Sequence, residues 1–341
     1  MVYEDIFKIT FGEHMKFIKK EELKNLIKFE DVFSKTKTAY ELFSQGETIT
    51  PPFTVFTIPE SNGSVHFKSG YVPGEKYFAL KYSGAFYGNE KLGLSNFLGL
   101  FIVFNSQTGE VEAIIDDKGY LTDYRTGVAG AIATSLLARQ DSKTVAMIGT
   151  GTQARMQLFS LLKVMPKIEN LKVYGRSERS VIKYIEEIKK LYTKLNVVVC
   201  KGPKEAVTGA DIIYTVTYSE KPIIKAEWIK PGVHITAVGA CEPNMQELDS
   251  KILEKANIVC SDSKIACSQN GELHHALDKG LIKEDSVVEM GEAITKKIKR
   301  KQNDITICDL VGIGFQDAVI ASCVMEEYNK IKKNENNELI K

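Results

Sequence analysis

The sequence lacks any long apolar run and any marked excess of charge. No apolar stretch approaches the about 18 residues that a membrane-spanning helix needs, and the first residues lack the apolar centre of a secretory signal peptide. The formal net charge of +1 over 341 residues creates no field that would attract nucleic acid or an anionic membrane surface. We therefore expect neither a membrane nor a nucleic acid among its partners.

Paired cysteines are also missing. All six cysteines lie at or after Cys200, and none forms a C-x-x-C pair, so neither a zinc site nor a disulfide framework is indicated. Cys200, Cys260 and Cys308 lie in or beside apolar runs and are expected to be small buried core residues. This pattern predicts a protein of the reducing cytoplasm, without a bound metal.

The length and the change of pattern along the chain favour two domains. The first part has a helical pattern over Lys20–Phe43 and then short strands separated by glycine- and proline-containing turns, typical of an α+β domain. A last helix, Phe315–Lys333, is expected to return to this domain. The predicted domains are residues 1–122 with 313–341, and residues 123–312; Met1–His14 is an extension before the first strand.

The most informative stretch begins at Thr144. Thr144–Ile148 is a short β-branched apolar run, the pattern of a strand that is buried on both faces. It leads into Gly149–Ala154 (GTGTQA), a G-x-G-x-x-A loop, and then into a helical pattern. In this order the elements form the dinucleotide-binding fingerprint, in which Gly149 permits a tight turn, Gly151 lets the backbone approach a pyrophosphate, and Ala154 allows close packing.

Strands alternate with helical stretches after this loop, which gives the weak glycine motif its context. The further predicted strands are Leu171–Tyr174, Asn196–Cys200, Asp211–Val216 and His234–Val238. Alternation of this kind predicts an α/β fold with a Rossmann-type, doubly wound parallel sheet, accompanied by the α+β domain. The expected cofactor contacts from the loop are Gly149, Thr150, Gly151, Thr152, Gln153 and Ala154.

The residues after the second strand bear on the choice of nicotinamide cofactor. An enzyme that prefers NAD places Asp or Glu there for the ribose 2′-hydroxyl, whereas this chain has Gly175, Arg176, Ser177 and then Arg179. Gly175 would leave space, and Arg176 and Ser177 would supply a cation and a donor for a 2′-phosphate. We expect a preference for NADP(H), with NAD(H) possible if Glu178 contacts the ribose instead.

Seven stretches in the same order resemble the ornithine cyclodeaminase/μ-crystallin family over roughly residues 15–333. They are Ala79–Tyr82 (ALKY), Tyr124–Gly130 (YRTGVAG), Gly149–Ala154 (GTGTQA), Ala237–Ala240 (AVGA), Pro243–Asp249 (PNMQELD), Asn270–Glu272 (NGE) and Gly312–Asp317 (GIGFQD). The resemblance implies a homodimer whose first domain supplies both the interface and the pocket for a small amino or imino acid.

The resemblance also assigns roles to individual residues. It implies that Lys81 is the active-site lysine and that Arg125, near the start of a helix, holds the substrate carboxylate. A lysine buried among Phe78, Leu80 and Tyr82 would have a lowered pKa suited to proton transfer. It also implies that six further residues lie beside the cofactor: Thr215, Val216, Thr217, Val238, Gly239 and Asp317. The last of these, Asp317, is equally compatible with capping of the final helix.

Two positions depart from the cyclodeaminase pattern. Phe53 stands after the paired prolines, where cyclodeaminases have a second carboxylate-binding arginine, so His66 or Lys68 would have to compensate. Cys241 stands where the cyclodeaminases place an aspartate, and Glu242 follows it. Because a cysteine cannot accept an ammonium charge as a carboxylate does, cyclisation of ornithine is the less favoured reaction.

The sequence therefore favours an NAD(P)H-dependent oxidoreductase that acts at the C–N bond of a small amino or imino acid. Reduction of a ketimine or cyclic imine and dehydrogenation of an amino acid both agree with Lys81 and Arg125. The first alternative is ornithine cyclodeaminase, which forms proline and ammonia without net redox change. The second is a μ-crystallin-like protein that binds a nucleotide and a small ligand without turnover.

Overall fold

The computed structural model describes residues 15–339, with side chains to residue 335. The chain divides into two compact units: one ends at Arg125 and resumes at Ile313, and the other is Thr126–Gly312. The predicted extension Met1–His14 lies outside the described residues. No helix within the described part combines the length and apolar character needed to cross a membrane.

Residues 15–137 contain six strands and three α-helices. They are β1 (Lys16–Lys19), α1 (Lys20–Leu26), α2 (Phe29–Ser44), β2 (Thr54–Ile58), β3 (Gly63–Gly70), β4 (Tyr77–Phe86), β5 (Phe97–Asn105), β6 (Val111–Asp116) and α3 (Tyr120–Leu137).

The second unit continues from α3, and a long helix then ends the chain. The elements are β7 (Thr144–Ile148), α4 (Thr152–Val164), β8 (Asn170–Tyr174), α5 (Glu178–Leu191), β9 (Asn196–Val199), α6 (Pro203–Val207), β10 (Ile212–Thr215), β11 (His234–Ala237), α7 (Lys251–Lys255), β12 (Ile258–Ser261), α8 (Lys264–Gln269), α9 (Gly271–Asp278), β13 (Val288–Glu289), α10 (Met290–Thr295), β14 (Thr306–Asp309) and α11 (Gly314–Leu339).

The sheet of the first unit has the order β1-β6-β5-β4-β3-β2. β1 runs parallel to β6, and all the other neighbours are antiparallel, so the sheet is mixed, in agreement with the predicted α+β domain. The single helical stretch predicted for Lys20–Phe43 is wrong in one respect. Two extended residues, Ile27 and Lys28, divide it into α1 and α2.

Helix α11 packs on β3, β4 and α2 within the same unit, as predicted for the last helix. Two glycines permit this close approach. A Cβ atom on Gly314 would lie 1.9 Å from the carbonyl oxygen of Ser69, and a Cβ atom on Gly70 would lie 2.6 Å from the backbone of Gly314. The first turn of α11 therefore lies directly against strand β3.

The sheet of the second unit has eight parallel strands in the order β13-β12-β14-β11-β10-β7-β8-β9. The predicted doubly wound parallel sheet is confirmed, and the predicted strands match β7 to β11 to within one residue at each end. The chain order reverses at β7, which lies between β8 and β10. The carboxyl ends of strands at such a reversal form the usual binding edge of this fold.

Small residues in α3 allow close packing against α4. A Cβ atom on Gly127 would lie 2.7 Å from the carbonyl oxygen of Met156, and one on Gly130 would collide with the side chain of Gln157. Both contacts bring α3 against α4, the helix that follows the glycine loop. This packing fixes the position of the loop relative to the sheet.

Candidate functional site

Lys81 lies in the middle of β4 with only 1% of its surface exposed. The expectation that Phe78, Leu80 and Tyr82 bury it is wrong, because side chains along a strand alternate between faces. Lys81 shares its face with the buried residues Tyr77 and Ala79, on the strand against which α11 packs. The lysine is thus buried between the sheet and the last helix.

The carboxylate of Asp317, in the first turn of α11, holds both predicted catalytic cations. Its Oδ2 lies 2.9 Å from Nζ of Lys81, and its Oδ1 accepts a hydrogen bond of 3.0 Å from Nε of Arg125. Arg125 is the sixth residue of α3, and it too is buried. The structure therefore brings Lys81, Arg125 and Asp317 together. Asp317 thus bonds both cations within the first unit, and its expected contact with the cofactor stays a prediction.

Gln316 and Tyr40 extend this arrangement, and the sequence gave no separate signal for either role. Nη1 of Arg125 donates a hydrogen bond of 2.7 Å to Oε1 of Gln316, and Nε2 of Gln316 donates to the hydroxyl of Tyr40. These bonds to Nε and Nη1 orient the guanidinium group and leave three of its five N–H donors for other partners. The only signal for Gln316 in the sequence was its position beside Asp317 in the GIGFQD stretch.

Burial and neighbouring charges shift the protonation equilibria of this cluster. Burial lowers the pKa of Lys81 to about 7; Asp317 opposes this shift, and Arg125 and Lys68 add to it. Burial alone would raise the pKa of Asp317, but Arg125 and Lys81 bring it below its usual value. At neutral pH the cluster therefore combines an ionised aspartate with a lysine close to its midpoint.

Lys68 is a buried member of the same cluster. Only 8% of its surface is exposed. It is the direct partner of Lys81 across the β3–β4 pair, and its ammonium group lies 4.5 Å from the ring centre of Phe53. His66 is half-buried; burial first, then Lys68 and Lys81, lower its pKa to about 4. His66 is thus neutral at pH 7, and Lys68 is the residue that adds positive charge.

In the second unit, the glycine loop has the geometry that the fingerprint predicted. Gly149 has a φ of +118°, and a Cβ atom there would lie 2.7 Å from the carbonyl oxygen of Val216. Gly151 begins α4 without any side-chain cap, and its Cβ position faces open space. Thr150, Thr152 and Gln153 lie at the surface or half-buried, whereas Ala154 is fully buried. Because the first amides of a helix attract anions, these residues fit a dinucleotide pyrophosphate.

The loop after β8 contains the residues that the sequence predicted to lie beside a 2′-phosphate. Arg176, Ser177 and Arg179 are exposed, and the Ser177 hydroxyl accepts a hydrogen bond from the amide of Ser180 at the start of α5. The structure gives Gly175 a packing role, and the expected space for a 2′-phosphate stays a prediction. A Cβ atom there would lie 2.9 Å from Val181 and 3.0 Å from Thr150, so glycine serves close packing.

The loops after β10 and β11 lie beside the glycine loop and contain Thr215, Val216, Thr217, Val238 and Gly239. Both are bonded to Glu247, a fully buried carboxylate to which the sequence assigned no function. Three further acids of this unit that the sequence did not single out are also buried: Asp262, Glu272 and Asp309. Burial raises the pKa of Glu272 and of Asp309 well above the usual values.

Cys241 and Glu242 follow β11 in the second unit, where Cys241 is exposed and Glu242 is half-buried. The other five cysteines are buried, which confirms the expectation for Cys200, Cys260 and Cys308. Among residues 15–339, no group of three or more His, Cys, Asp or Glu side chains is arranged to hold a metal ion.

Several known proteins resemble this chain over nearly its whole length. An uncharacterized cyclodeaminase of Sinorhizobium fredii is 36% identical over 92% of this chain and 95% of its own. The structure of Thermococcus litoralis Δ1-pyrroline-2-carboxylate reductase, in complex with NADH and L-proline, superposes with a TM-score of 0.87 at 28% identity, covering 93% of this chain and 98% of its own. An archaeal alanine dehydrogenase dimer with bound NAD gives 0.85 at 32% identity, covering 94% and 97%.

The family profile gives the same result at the level of the whole sequence. The match extends over residues 13–332 and includes both units of the structure. It therefore includes the buried cluster of the first unit as well as the glycine loop of the second. The chain belongs to the ornithine cyclodeaminase/mu-crystallin family.

Proposed function

We propose that this protein is an NAD(P)H-dependent oxidoreductase that acts at the C–N bond of a small amino or imino acid. The observation that carries the proposal is the cluster in which Asp317 holds Lys81 at 2.9 Å and Arg125 at 3.0 Å. Relatives that reduce a cyclic imino acid or dehydrogenate alanine, by their names, resemble the chain over more than nine-tenths of its length. Both reactions need one anchored carboxylate and one group that transfers a proton.

Arg125 and Lys68 are proposed to bind the substrate carboxylate. The guanidinium group is already oriented by Asp317 and Gln316, so it loses little conformational freedom when it meets a ligand. The buried cluster contains three cations, Lys68, Lys81 and Arg125, and one carboxylate, Asp317. A substrate carboxylate would therefore enter a region of positive charge.

Lys81 is proposed to transfer the proton. With a pKa of about 7 it changes protonation state near neutral pH, which is the condition for acid–base catalysis in either direction. In reduction its ammonium form donates a proton to the substrate; in oxidation its neutral form accepts one. Asp317 keeps the amine in place and limits how far its pKa falls.

The second unit is proposed to bind the nicotinamide cofactor, which supplies the hydride. The open Cβ position of Gly151 and the uncapped start of α4 support this assignment. We propose a preference for NADP(H) because Arg176 and Arg179 are exposed in the loop after β8, where no carboxylate ends the strand. The two solved relatives contain NADH or NAD, so use of NAD(H) is the competing outcome.

We further propose that the protein is a cytoplasmic homodimer, with residues 1–122 and 313–341 as the substrate-binding and dimerisation domain. The archaeal alanine dehydrogenase is a dimer. In this chain, β2 is an edge strand that exposes Val55 and Phe56, as expected of a strand that a second subunit covers. Light scattering of the purified protein tests the dimer.

Ornithine cyclodeaminase is the alternative within the family. Cys241 in place of an aspartate, and Phe53 in place of an arginine, both argue against it. Glu242 is half-buried beside Cys241 and is the residue to test if ornithine is the substrate.

The test follows nicotinamide absorbance with Δ1-pyrroline-2-carboxylate, a linear ketimine formed from pyruvate and ammonia, L-proline, L-alanine and L-ornithine. We expect NADPH oxidation with an imine, or NADP⁺ reduction with an amino acid. Lys81→Met should abolish turnover, whereas Lys24→Met, at an exposed position on α1, should not. Conversion of ornithine to proline and ammonia without an absorbance change would identify a cyclodeaminase, and nucleotide binding without any turnover would identify a binding protein.

A further inference from the structure

The carboxylate of Glu247 joins two loops of the second unit. Its Oε1 accepts hydrogen bonds of 2.6 Å from both the amide and the hydroxyl of Thr217, and its Oε2 accepts one of 2.9 Å from the amide of Gly239. Thr217 follows β10, and Gly239 follows β11. One side chain thus bonds the backbone of two loops at the carboxyl end of the sheet.

The two loops pack closely against each other at this bond. A Cβ atom on Gly239 would lie 2.3 Å from the carbonyl oxygen of Thr217 and 2.5 Å from Oε2 of Glu247. On the other side, a Cβ atom on Gly149 would lie 3.1 Å from the methyl group of Thr217. The glycine loop and the loops after β10 and β11 therefore form one continuous edge, with Glu247 behind it.

A second carboxylate fixes the position of Glu247 itself. Glu272 accepts hydrogen bonds of 2.6 Å from the amide of Glu247 and 3.0 Å from the amide of Leu248. Asp309 in turn accepts one of 2.8 Å from the amide of Leu273. Burying three acids in one region is costly, and apolar residues would serve stability as well or better. The arrangement is better explained by the need to place particular backbone groups.

We propose that Glu247 is a positioning residue for the nicotinamide half of the cofactor. This inference rests on the proposed function. The glycine loop after β7 meets the pyrophosphate, and the loop after β8 meets the adenine ribose. The loops after β10 and β11 lie on the opposite side of β7, so they adjoin the remaining half of the dinucleotide. Glu247 acts through Thr217 and Gly239, whose backbone it holds at that edge.

The test compares two ligands that share the adenine half. Glu247→Gln keeps the shape of the side chain but replaces one acceptor oxygen with an amide group. Above the pKa of Glu247, which is about 7, titration by fluorescence should show about tenfold weaker binding of NADPH, the effect expected from losing a charge-assisted hydrogen bond. Binding of 2′-phospho-ADP-ribose, which lacks nicotinamide, should change less than about twofold. Glu254→Gln, an exposed acid on α7, is the matched control and should change neither.

Glu247→Asp, which keeps the charge on a shorter side chain, should lie between the wild-type protein and Glu247→Gln. It provides the same comparison if Glu247→Gln fails to fold. Equal weakening of both ligands would mean that Glu247 only supports the fold, and unchanged binding of both would mean that it positions nothing; either result overturns the inference. If the wild-type protein binds neither ligand, the proposed function itself fails, and the inference fails with it.

Discussion

Lys81 and Asp317 form a buried ion pair between the middle of β4 and the first turn of α11, with 2.9 Å between Nζ and Oδ2. The two residues are far apart in sequence, and glycines at positions 70 and 314 let α11 approach β3, the strand beside β4. Arg125 binds the other oxygen of the same carboxylate. The single carboxylate therefore controls both the protonation of the lysine and the orientation of the arginine.

Asp317→Asn should lower activity and stability together. Removing the negative charge leaves Lys81 and Arg125 without their shared counterion, and breaking a buried pair in this way costs about 3–5 kcal/mol. The pKa of Lys81 should fall further below about 7, because Asp317 is the group that raises it. Urea denaturation measures the loss, with Glu21→Gln on the exposed side of α1 as control. An unchanged free energy of unfolding would contradict a buried ion pair between Lys81 and Asp317.

The rate of imine reduction by the wild-type protein should depend on pH through Lys81. Its pKa of about 7 means that the ammonium form dominates below this pH and the neutral form above it. Reduction uses the ammonium form, so log(kcat/KM) should fall as pH rises through about 7; oxidation of the amino acid should show the opposite trend. In Asp317→Asn the midpoint of any remaining activity should move to lower pH. Profiles without an inflection between pH 6 and about 8 would exclude this role.

The second unit was largely predictable from sequence because its signals are local. The apolar run Thr144–Ile148 became β7 with the same bounds, and the need for glycine at position 149 follows from its φ of +118°. Gly175 shows the limit of such reasoning. Its role was assigned to a ligand, but the contacts that require glycine there come from Thr150 and Val181.

The buried cluster was harder to predict because its members come together only through tertiary packing. Nothing local indicates that Gln316 bonds Arg125, or that Glu247 bonds two loops. The break between α1 and α2 likewise occurs at Ile27 and Lys28, without glycine or proline, so packing rather than local preference determines it. The resemblance pointed to stretches of sequence, and the structure adds which atoms of Lys81, Arg125 and Asp317 meet.

Arg176→Ala should affect the binding of NADPH and of NADH differently. If the exposed guanidinium group binds a 2′-phosphate, its removal should weaken NADPH binding by about 1–3 kcal/mol, while NADH binding should hardly change. Lys172→Ala, on the neighbouring strand β8, serves as a control for loss of a cation. Calorimetric titration of both cofactors gives the answer. Equal losses for NADPH and NADH would show that Arg176 does not contact the 2′-phosphate.

Glu247 should make the second unit less stable as pH rises toward neutrality. Burial raises its pKa from 4.5 to about 7, although hydrogen bonds from Thr217 and Gly239 oppose the shift. Between these values the folded state binds more protons than the unfolded state, so this contribution to stability is complete below pH 4.5 and is lost as pH rises to about 7. Because Glu247→Gln cannot titrate, its stability relative to the wild-type protein should increase over this range by on the order of 3 kcal/mol. If the free energies of unfolding of the two proteins change with pH in the same way, Glu247 does not titrate in this range.

Gly149 and Gly151, the two glycines of the nucleotide loop, should respond in opposite ways to substitution. Gly151 begins α4 with a φ of −80°, and its Cβ position faces open space. Aspartate is a favoured residue at such a position and can accept a hydrogen bond from the first turn of the helix. Gly151→Asp should therefore leave the stability of the ligand-free protein unchanged or raise it by a few tenths of a kcal/mol.

The same substitution should abolish cofactor binding, since it places a negative charge where the pyrophosphate would approach the helix. Gly149→Ala is the matched contrast. At a φ of +118°, with the carbonyl oxygen of Val216 only 2.7 Å from the new methyl group, it should destabilise the protein by at least about 2 kcal/mol. Thermal unfolding without ligand and calorimetric titration with NADPH distinguish the two effects. If Gly151→Asp still binds NADPH tightly, the pyrophosphate is not bound at the start of α4, and the assignment of the glycine loop fails.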